Sequence, residues 1–328
     1  MKIVITGGAG FLGHRLARTL LERGTLAARN GSQQSIERIT LVDVAAPAVI
    51  DDERIATVVG DITDRALVAR AIDSSTDSVF HLAAIVSGMA EADFDLGMRV
   101  NVDASRALLE LCRGGGGTPR VVFASSVAVY GGDLPEVVND DLAVVPQSSY
   151  GTQKAIVELL VNDYSRRGFI DGRTLRLPTI CVRPGRPNAA ASSFASGIIR
   201  EPLNDEAANC PVDTATRLWL LSPANALECL IALHDMDRAA LGANRIVNGP
   251  GMSVSVREMV ASLERIAGAD VAGRITYERE PRIERLVDTW PGELAATRAR
   301  ALGLPRDNDF DEIVRRYIAD EVSPRRRS

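Results

Sequence analysis

Residues 2–13 read KIVITGGAGFLG, and this stretch predicts the fold of the chain. Residues 2–6 form a short β-branched run, which is typical of a buried strand. From Phe11 to Arg23 the apolar residues have helical spacing, and Gly24 is expected to end that helix. A strand, a glycine-rich turn and a helix in this order indicate a βα unit that binds a dinucleotide.

The glycines of this turn permit contacts that larger residues would prevent. One allows a tight turn, a second lets the backbone approach a pyrophosphate, and a third lets the helix pack closely on the strand. The bare N–H groups and the positive dipole at the start of the helix would then hold the anion. The residues expected to bind the cofactor here are Gly7, Gly10, Phe11, Leu12 and Gly13.

Outward from the turn, short apolar runs alternate with helical segments. Strands are expected at 39–43, 55–59, 78–82, 120–124 and 173–177, and long helices at 93–113 and 150–167. This alternation predicts an α/β fold built on a doubly wound parallel (Rossmann) sheet.

The alternation weakens after Pro178, which divides the chain into two predicted parts. A dinucleotide-binding Rossmann domain is expected to span 1–177, with 221–249 returning to it. A smaller, mainly C-terminal substrate lobe is expected from 178–220 and 250–328.

Later strands end in residues suited to a nicotinamide dinucleotide. Asp43 ends the second strand, where an acid accepts hydrogen bonds from the ribose hydroxyls and repels the 2′-phosphate of NADP, so NAD is the predicted cofactor. A solvated acid at a strand end is the alternative. Asp61 and Ile62 follow the third strand, where an acid can cap the adenine amino group. The small turn Leu82-Ala83-Ala84 follows the fourth and would let the cofactor lie against the sheet edge.

Tyr150 and Lys154 lie four residues apart in a predicted helix, which places them on one face. The chain has five tyrosines and only two lysines, so this spacing is rarely an accident. A nearby ammonium lowers the pKa of a phenol from its usual value of about 10. Such a phenol can take a proton from an alcohol while a hydride leaves for the nicotinamide, and Lys154 can also bind the nicotinamide ribose. The pair indicates a type of reaction and leaves the substrate open.

Further polar residues are candidates for the same catalytic site. Ser126 ends the fifth strand, and its hydroxyl is expected to hold the substrate oxygen beside Tyr150, with Ser125 as the alternative. Asn101 lies in a predicted helix, where an amide is a poor helix former. It is expected either to bind a water near the site or to bond to the local backbone. His81 is expected to pack structurally.

Composition argues against several classes of function. The net charge is -5, and the basic cluster at 325–327 lies at the end of the chain, so neither nucleic acid nor a membrane surface is an expected partner. No apolar run approaches the roughly 20 residues of a membrane span. The four cysteines match no metal spacing, so no metal is expected. A strand at residue 2 in place of a signal peptide predicts a cytoplasmic protein.

These residues together resemble the extended short-chain dehydrogenase/reductase family. The matching pieces are Thr6 to Gly13, Asp43, Asp61-Ile62, Leu82-Ala83-Ala84, Ser126, Tyr150 and Lys154. The family includes nucleotide-sugar epimerases, dehydratases and dehydrogenases of small substrates. The resemblance implies an oxidoreductase, and the two long helices resemble those that pair in dimers of this family, which implies a homodimer.

The segment from Leu175 to Leu203 resembles a bacterial branch of the family that oxidises the C2 hydroxyl of D-erythronate with NAD, giving 2-dehydro-D-erythronate. A small sugar acid is therefore the expected substrate, and arginine suits its carboxylate. Substrate contacts are expected from Ser87, Ser126, Tyr150, Thr179, Arg183, Asn188 and Arg217. Ser193 is a further candidate beside Ser87, Thr179 and Asn188, and Arg186 is a candidate behind Arg183 and Arg217. Two alternatives remain: a nucleotide-sugar epimerase with tightly bound NAD, and a non-catalytic dinucleotide sensor.

Overall fold

The computed structural model describes residues 1–185 and 190–323, which form two compact units. The first unit contains Met1–Ser126, Ser149–Arg176 and Leu227–Val247. The second contains Val127–Ser148, Leu177–Ala226 and the chain from Asn248 onward. Asn188, Arg186 and the basic cluster 325–327 lie outside the described residues.

Short strands occur throughout both units. They are β1 (Lys2–Thr6), β2 (Thr25–Ala27), β3 (Gln33–Ser35), β4 (Arg38–Asp43), β5 (Ile55–Val59), β6 (Ser78–His81), β7 (Arg120–Ser126), β8 (Asp171–Leu177), β9 (Thr179–Ile180), β10 (Ala208–Asn209), β11 (Arg217–Leu221), β12 (Ile246–Asn248), β13 (Met252–Ser255) and β14 (Ile275–Thr276).

The helices vary from a single turn to five turns. They are α1 (Phe11–Arg23), α2 (Arg65–Val68), α3 (Ser87–Ala92), α4 (Phe94–Gly97), α5 (Ala104–Gly114), α6 (Ser149–Arg166), α7 (Ser193–Leu203), α8 (Pro223–Asp235), α9 (Arg238–Leu241), α10 (Val256–Ala267), α11 (Ala269–Ala272), α12 (Pro281–Val287), α13 (Thr297–Ala301) and α14 (Phe310–Tyr317). Among the residues described, none of these helices has both the length and the apolar character to cross a membrane.

The first unit is built on a seven-stranded sheet in the order β12-β8-β7-β6-β1-β4-β5, as far as the described residues go. The pairs β5–β4, β4–β1, β1–β6 and β6–β7 are parallel. The chain starts in the middle of the sheet and turns back to build the other half, which is the doubly wound arrangement. The predicted fold class is confirmed. Its core contains Val4, Val79, Val121 and Phe123, all fully buried.

The predicted long helix over 93–113 is interrupted. A π-helical turn, Met98–Asp103, separates α4 from α5. At the end of α4, Gly97 lies so close to α6 that a Cβ atom would be 2.5 Å from Nε2 of Gln153. Within the turn, the Asn101 side chain bonds to the backbone of Ile85. These contacts between distant segments, which helical periodicity does not report, accompany the change of helix type.

The second unit has a three-stranded sheet in the order β13-β11-β9 and a pair of short strands, β10 and β14. Helices α7, α10 and α14 supply much of its core, including Phe194, Leu263 and Phe310. The segment 127–148, which the sequence division placed in the first domain, belongs to this unit. The reason is contact with later residues: Val138 pairs with Leu294. The assignment of cofactor and substrate to separate lobes stays a prediction.

The first unit also buries an ionic cluster where several strands begin. The carboxylate of Asp171 lies 2.9 Å from the Arg173 guanidinium, 3.5 Å from that of Arg120 and 3.6 Å from that of Arg245. Burial lowers the pKa of Arg173 to about 10, with Asp171 opposing this and the other two arginines adding to it. Because these cations have little water to solvate them, the cluster depends on the single carboxylate.

Replacing Asp171 with Asn should therefore destabilise the protein strongly. Removing one partner of a buried ionic group leaves uncompensated charge and costs about 3–5 kcal/mol. Urea unfolding followed by circular dichroism measures this free energy. The control is Asp163→Asn, which breaks an exposed pair with Arg166 and should leave the midpoint nearly unchanged. An equal loss in both variants would contradict the role given to the cluster.

Candidate active site

The glycine turn after β1 leaves little space for side chains. Gly7 has φ of +74°, and a Cβ atom on Gly13 would lie 2.1 Å from the Gly7 carbonyl oxygen. Helix α1 begins at Phe11, and Gly10 before it has no side chain to cap the helix. No acidic residue lies in the first turn, where Leu12 is half-buried. The N–H groups at this helix end therefore suit a phosphate group, and the turn fits NAD.

Asp43, at the end of β4, lies beside the glycine turn. Its carboxylate accepts hydrogen bonds from the backbone N–H groups of Ala9, at 2.9 Å, and Ala45, at 3.1 Å. The carboxylate is thus held against the glycine turn in a fixed orientation, as contact with an adenosine ribose would need. Asp61 is exposed beyond β5, and Ile62 packs on the core of the first unit.

The turn Leu82-Ala83-Ala84 follows β6 and approaches the glycine turn. The Ala83 N–H donates to Thr6 Oγ1 at 3.2 Å. A Cβ atom on Gly7 would lie 2.9 Å from the Ala83 nitrogen. The predicted cofactor residues of these two turns therefore form one continuous surface.

His81 is part of a buried hydrogen-bond chain that leads away from this surface. Its Nδ1 lies 2.7 Å from Thr6 Oγ1, and its Nε2 lies 2.8 Å from Ser105 Oγ. Ser105 Oγ donates its proton to the Asn101 carbonyl oxygen at 2.6 Å, so it accepts from Nε2, and Nδ1 accepts from Thr6. Burial lowers the pKa of His81 to about 3, and the charge of Lys154 adds to this effect. The imidazole is neutral and has a structural role.

Asn101 is buried, and its side chain bonds to the backbone of Ile85, 16 residues away, and not to the backbone of its own helical turn. Its Oδ1 accepts the Ile85 N–H at 2.8 Å, and its Nδ2 donates to the Ile85 carbonyl at 3.1 Å. Nδ2 also donates to Gln153 Oε1 at 2.7 Å. Asn101 thereby links the segment after β6 to α6 at the residue before Lys154.

The Tyr150–Lys154 pair lies in the first two turns of α6. The Lys154 Nζ atom is 5.6 Å from the Tyr150 ring centroid and donates to the Ala124 carbonyl oxygen at 2.8 Å. Burial lowers the pKa of Lys154 to about 8, while the nearby Glu158 carboxylate opposes the shift. A buried ammonium beside a half-buried phenol can stabilise a phenolate more strongly than it would in water.

The two serines at the end of β7 have different surroundings. Ser125 is buried, and its hydroxyl donates to Glu158 Oε1 at 2.5 Å. Ser126 is half-buried, and successive side chains of a strand point to opposite faces. Because Ser125 is engaged with the helix, Ser126 remains the predicted substrate contact. Ser87, another predicted contact, begins α3 and is buried.

Three further residues near the Tyr150–Lys154 pair were not predicted from the sequence: Glu158, Arg176 and Gln153. Glu158 is almost fully buried and forms an ion pair with Arg176 of β8. Its position could have been noticed, because an acid four residues after Lys154 lies on the same helix face. No pattern in the sequence pairs Arg176 with it.

The predicted substrate residues of the second unit lie on different elements. Thr179 begins β9 and is half-buried. Arg183 is half-buried, with Nη2 3.3 Å from Ser192 Oγ. Arg217 is exposed at the start of β11, where it lies 3.3 Å from a Glu258 carboxylate oxygen. The contact of each arginine with a substrate carboxylate stays a prediction.

The sequence pattern of the NAD dependent epimerase/dehydratase family matches residues 3–220. The chain is 61% identical to D-erythronate dehydrogenase of Cupriavidus necator over 320 residues, which are 98% of each protein. It is 44% identical to D-erythronate dehydrogenase of Haemophilus influenzae over 319 residues, 97% of this chain and 99% of that protein. A crystal structure described as the nucleoside-diphosphate-sugar epimerase from Agrobacterium tumefaciens matches with a TM-score of 0.92 and 41% identity, covering 98% of this chain and 95% of that chain.

The glycine turn yields a test of cofactor binding. Gly13→Ala should weaken NADH binding at least about tenfold, because the added Cβ must displace the turn that holds the phosphates. Quenching of protein fluorescence by NADH measures the affinity. The control is Gly114→Ala, since no atom lies within 4 Å of a Cβ atom there. NADH affinity equal to wild type in Gly13→Ala would exclude the turn from the cofactor site.

Proposed function

Because the chain belongs to the NAD dependent epimerase/dehydratase family, we propose that it oxidises D-erythronate with NAD. The resemblance predicted from the sequence is confirmed, and so is NAD as the cofactor. The chain is an NAD-dependent dehydrogenase of a sugar acid. The observation that carries the choice of D-erythronate is the 61% identity to D-erythronate dehydrogenase over 98% of both proteins.

We further propose that the reaction occurs at C2 and gives 2-dehydro-D-erythronate. Bound NAD supplies the acceptor for the hydride that leaves C2. Tyr150, as the phenolate, takes the proton of the C2 hydroxyl, which becomes a ketone. The charge of Lys154 stabilises that phenolate, and its ammonium binds the ribose hydroxyls. Ser126 holds the substrate oxygen.

The cofactor and substrate contacts predicted from the sequence form part of the same proposal. The glycine turn would hold the pyrophosphate and Asp43 the adenosine ribose. Ser87, Thr179, Arg183 and Arg217 remain proposed substrate contacts. An arginine is suited to the substrate carboxylate because its planar guanidinium can donate two parallel hydrogen bonds.

A second function is favoured by one observation. The Agrobacterium tumefaciens structure, which is 41% identical, is described as a nucleoside-diphosphate-sugar epimerase. An epimerase would return the hydride to its substrate and yield no net NADH. Accumulation of one NADH for each D-erythronate consumed, with no reaction of UDP-glucose, would exclude epimerisation as the main activity.

Tyr150→Phe should abolish nearly all oxidation of D-erythronate. Loss of the phenolic oxygen removes the general base, which contributes typically about 10²–10⁴-fold to the rate. Absorbance at 340 nm with NAD measures kcat/KM. Tyr164→Phe is the matched control, because Tyr164 also lies in α6 and its hydroxyl donates to the half-buried Glu110 of α5. Unchanged activity in Tyr150→Phe would refute the mechanism.

Isotopic labelling identifies the carbon that is oxidised. Deuterium at C2 of D-erythronate should appear in the reduced cofactor and slow the hydride step, whereas deuterium at C3 should remain in the product. Mass spectrometry of the cofactor and of the keto acid measures this. Transfer of deuterium from C3 would move the reaction to that carbon while leaving the roles of Tyr150 and Lys154 intact.

We also propose that the chain forms a homodimer through α4, α5 and α6. Leu159 of α6 is 68% exposed and Phe94 of α4 is 59% exposed, so these helices present apolar side chains at the surface. Leu159→Glu should shift the protein to monomers in sedimentation velocity at micromolar concentration. Val49→Glu is the control, since Val49 is also exposed but lies outside these helices. A wild-type protein that sediments as a monomer would refute this proposal.

A further inference from the structure

We propose that Glu158 is a positioning residue for the Tyr150–Lys154 pair: its carboxylate, fixed by Arg176 and Ser125, keeps Lys154 as an ammonium ion without forming a direct ion pair with it. This inference rests on the proposed function, in which the charge of Lys154 stabilises the Tyr150 phenolate.

The Glu158 carboxylate is held on both of its oxygens. Oε1 accepts from Ser125 Oγ at 2.5 Å and from Arg176 Nε at 2.9 Å. Oε2 accepts from Arg176 Nη2 at 2.7 Å. The side chain of Glu158 is 2% exposed and that of Arg176 is 9% exposed. The bidentate contact fixes the carboxylate in one place, and its burial means that water does little to screen its charge.

The same strand holds both charged groups of the helix. Lys154 and Glu158 are four residues apart in α6, so they lie on one face. Lys154 donates to the carbonyl oxygen of Ala124, and Glu158 accepts from the hydroxyl of Ser125, the next residue of β7. The positions of the ammonium and the carboxylate relative to each other are therefore set by neighbouring groups of β7.

The charged and titratable groups around Lys154 come from α6, β6 and β8. Tyr150 and Glu158 belong to α6 itself. His81 of β6 is neutral, because burial lowers its pKa to about 3. Arg176 of β8 acts through Glu158, to which it is bound. From β7 the contacts are uncharged: the Ala124 carbonyl and the Phe123 ring, whose centroid is 4.7 Å from Nζ.

Glu158 thus offsets part of the effect that burial has on the pKa of Lys154. Burial lowers the pKa of Lys154, and the Glu158 carboxylate raises it. A carboxylate in direct contact with the ammonium would also cancel its field at Tyr150. The bonds from Arg176 and Ser125 direct the Glu158 oxygens elsewhere, so the ammonium is stabilised while its own hydrogen bond goes to Ala124. This arrangement keeps the charge available to the phenol.

The two lysines of the chain permit a direct test that needs neither substrate nor cofactor. Lys2→Arg keeps the surface charge and leaves Lys154 as the single lysine, so one ¹³Cε signal in lysine-labelled protein reports its titration. In this background Glu158→Gln should lower the titration midpoint of Lys154 by about one pH unit or more, a tenfold change in the ammonium–amine equilibrium. At pH 7 a fall of the midpoint from about 8 to about 7 lowers the fraction of Lys154 that is an ammonium ion about twofold, so kcat/KM for D-erythronate should also fall about twofold.

The direction in which Arg176→Met shifts the Lys154 titration midpoint is the decisive result. This substitution removes a positive charge and leaves the Glu158 charge unshared, so the Lys154 midpoint should rise. A purely structural role for the ion pair would move both variants in the same direction or leave the midpoint in place, and either result would overturn the inference. Asp163→Asn, an exposed acid of α6, is the matched control and should leave the midpoint unchanged.

A loss of folding or a lack of activity can be distinguished from a failure of the inference about Glu158. If Glu158→Gln unfolds, the double variant Glu158→Gln/Arg176→Met removes both buried charges, which proteins tolerate better than the loss of one. Its Lys154 midpoint should lie below that of wild type, because the lost Glu158 carboxylate acts on Lys154 more strongly than the lost Arg176 guanidinium. A midpoint at or above that of wild type would refute the proposal. Wild-type protein inactive on D-erythronate would refute the substrate, whereas the NMR titration would still decide the role of Glu158.

Discussion

The buried ammonium of Lys154 is the constraint on which the rest of the site depends. Its side chain is almost fully buried in the first unit, where a charge without hydration is costly. The Ala124 carbonyl accepts its hydrogen bond, and the Phe123 ring provides a second favourable surface. The same burial favours the phenolate form of Tyr150, because the field of a cation is stronger where water is excluded.

Helix α6 is held from several sides, which keeps the ammonium and the phenol in place. At its start, the Ser149 N–H donates to Glu91 at 3.0 Å. One turn later Gln153 bonds to Asn101 in the π-helical turn, and further on Glu158 pairs with Arg176 in the sheet. A site built on a helix fixed in this way needs little rearrangement to act, since its charges are already oriented.

The cofactor surface and the catalytic helix are linked through the same interior. Thr6, the last residue before the glycine turn, bonds to His81, and His81 bonds to Ser105 of α5. Ser105 in turn bonds to the Asn101 backbone, and the Asn101 side chain reaches α6. From Thr6 to Asn101 each side-chain donor has an acceptor when the imidazole is neutral, so these bonds rigidify the unit without adding a buried charge.

Features that depend on neighbours along the chain followed from the sequence alone. The bounds of β1 and α1, the glycine turn and the spacing of Tyr150 from Lys154 are all set within a dozen residues, where sterics and helical periodicity decide the structure. The alternation of strands and helices also predicted the parallel sheet correctly, because a crossover helix between neighbouring strands allows few other arrangements.

Only the tertiary structure decided how distant segments meet. It broke the predicted helix over 93–113 at the π-helical turn, placed 127–148 in the second unit and directed Ser125 to Glu158. It also joined Glu158 to Arg176, 18 residues away, and gathered three arginines around Asp171. Such contacts depend on strand register and on which helix face meets which strand, and the spacing of residues within one segment carries no information about either.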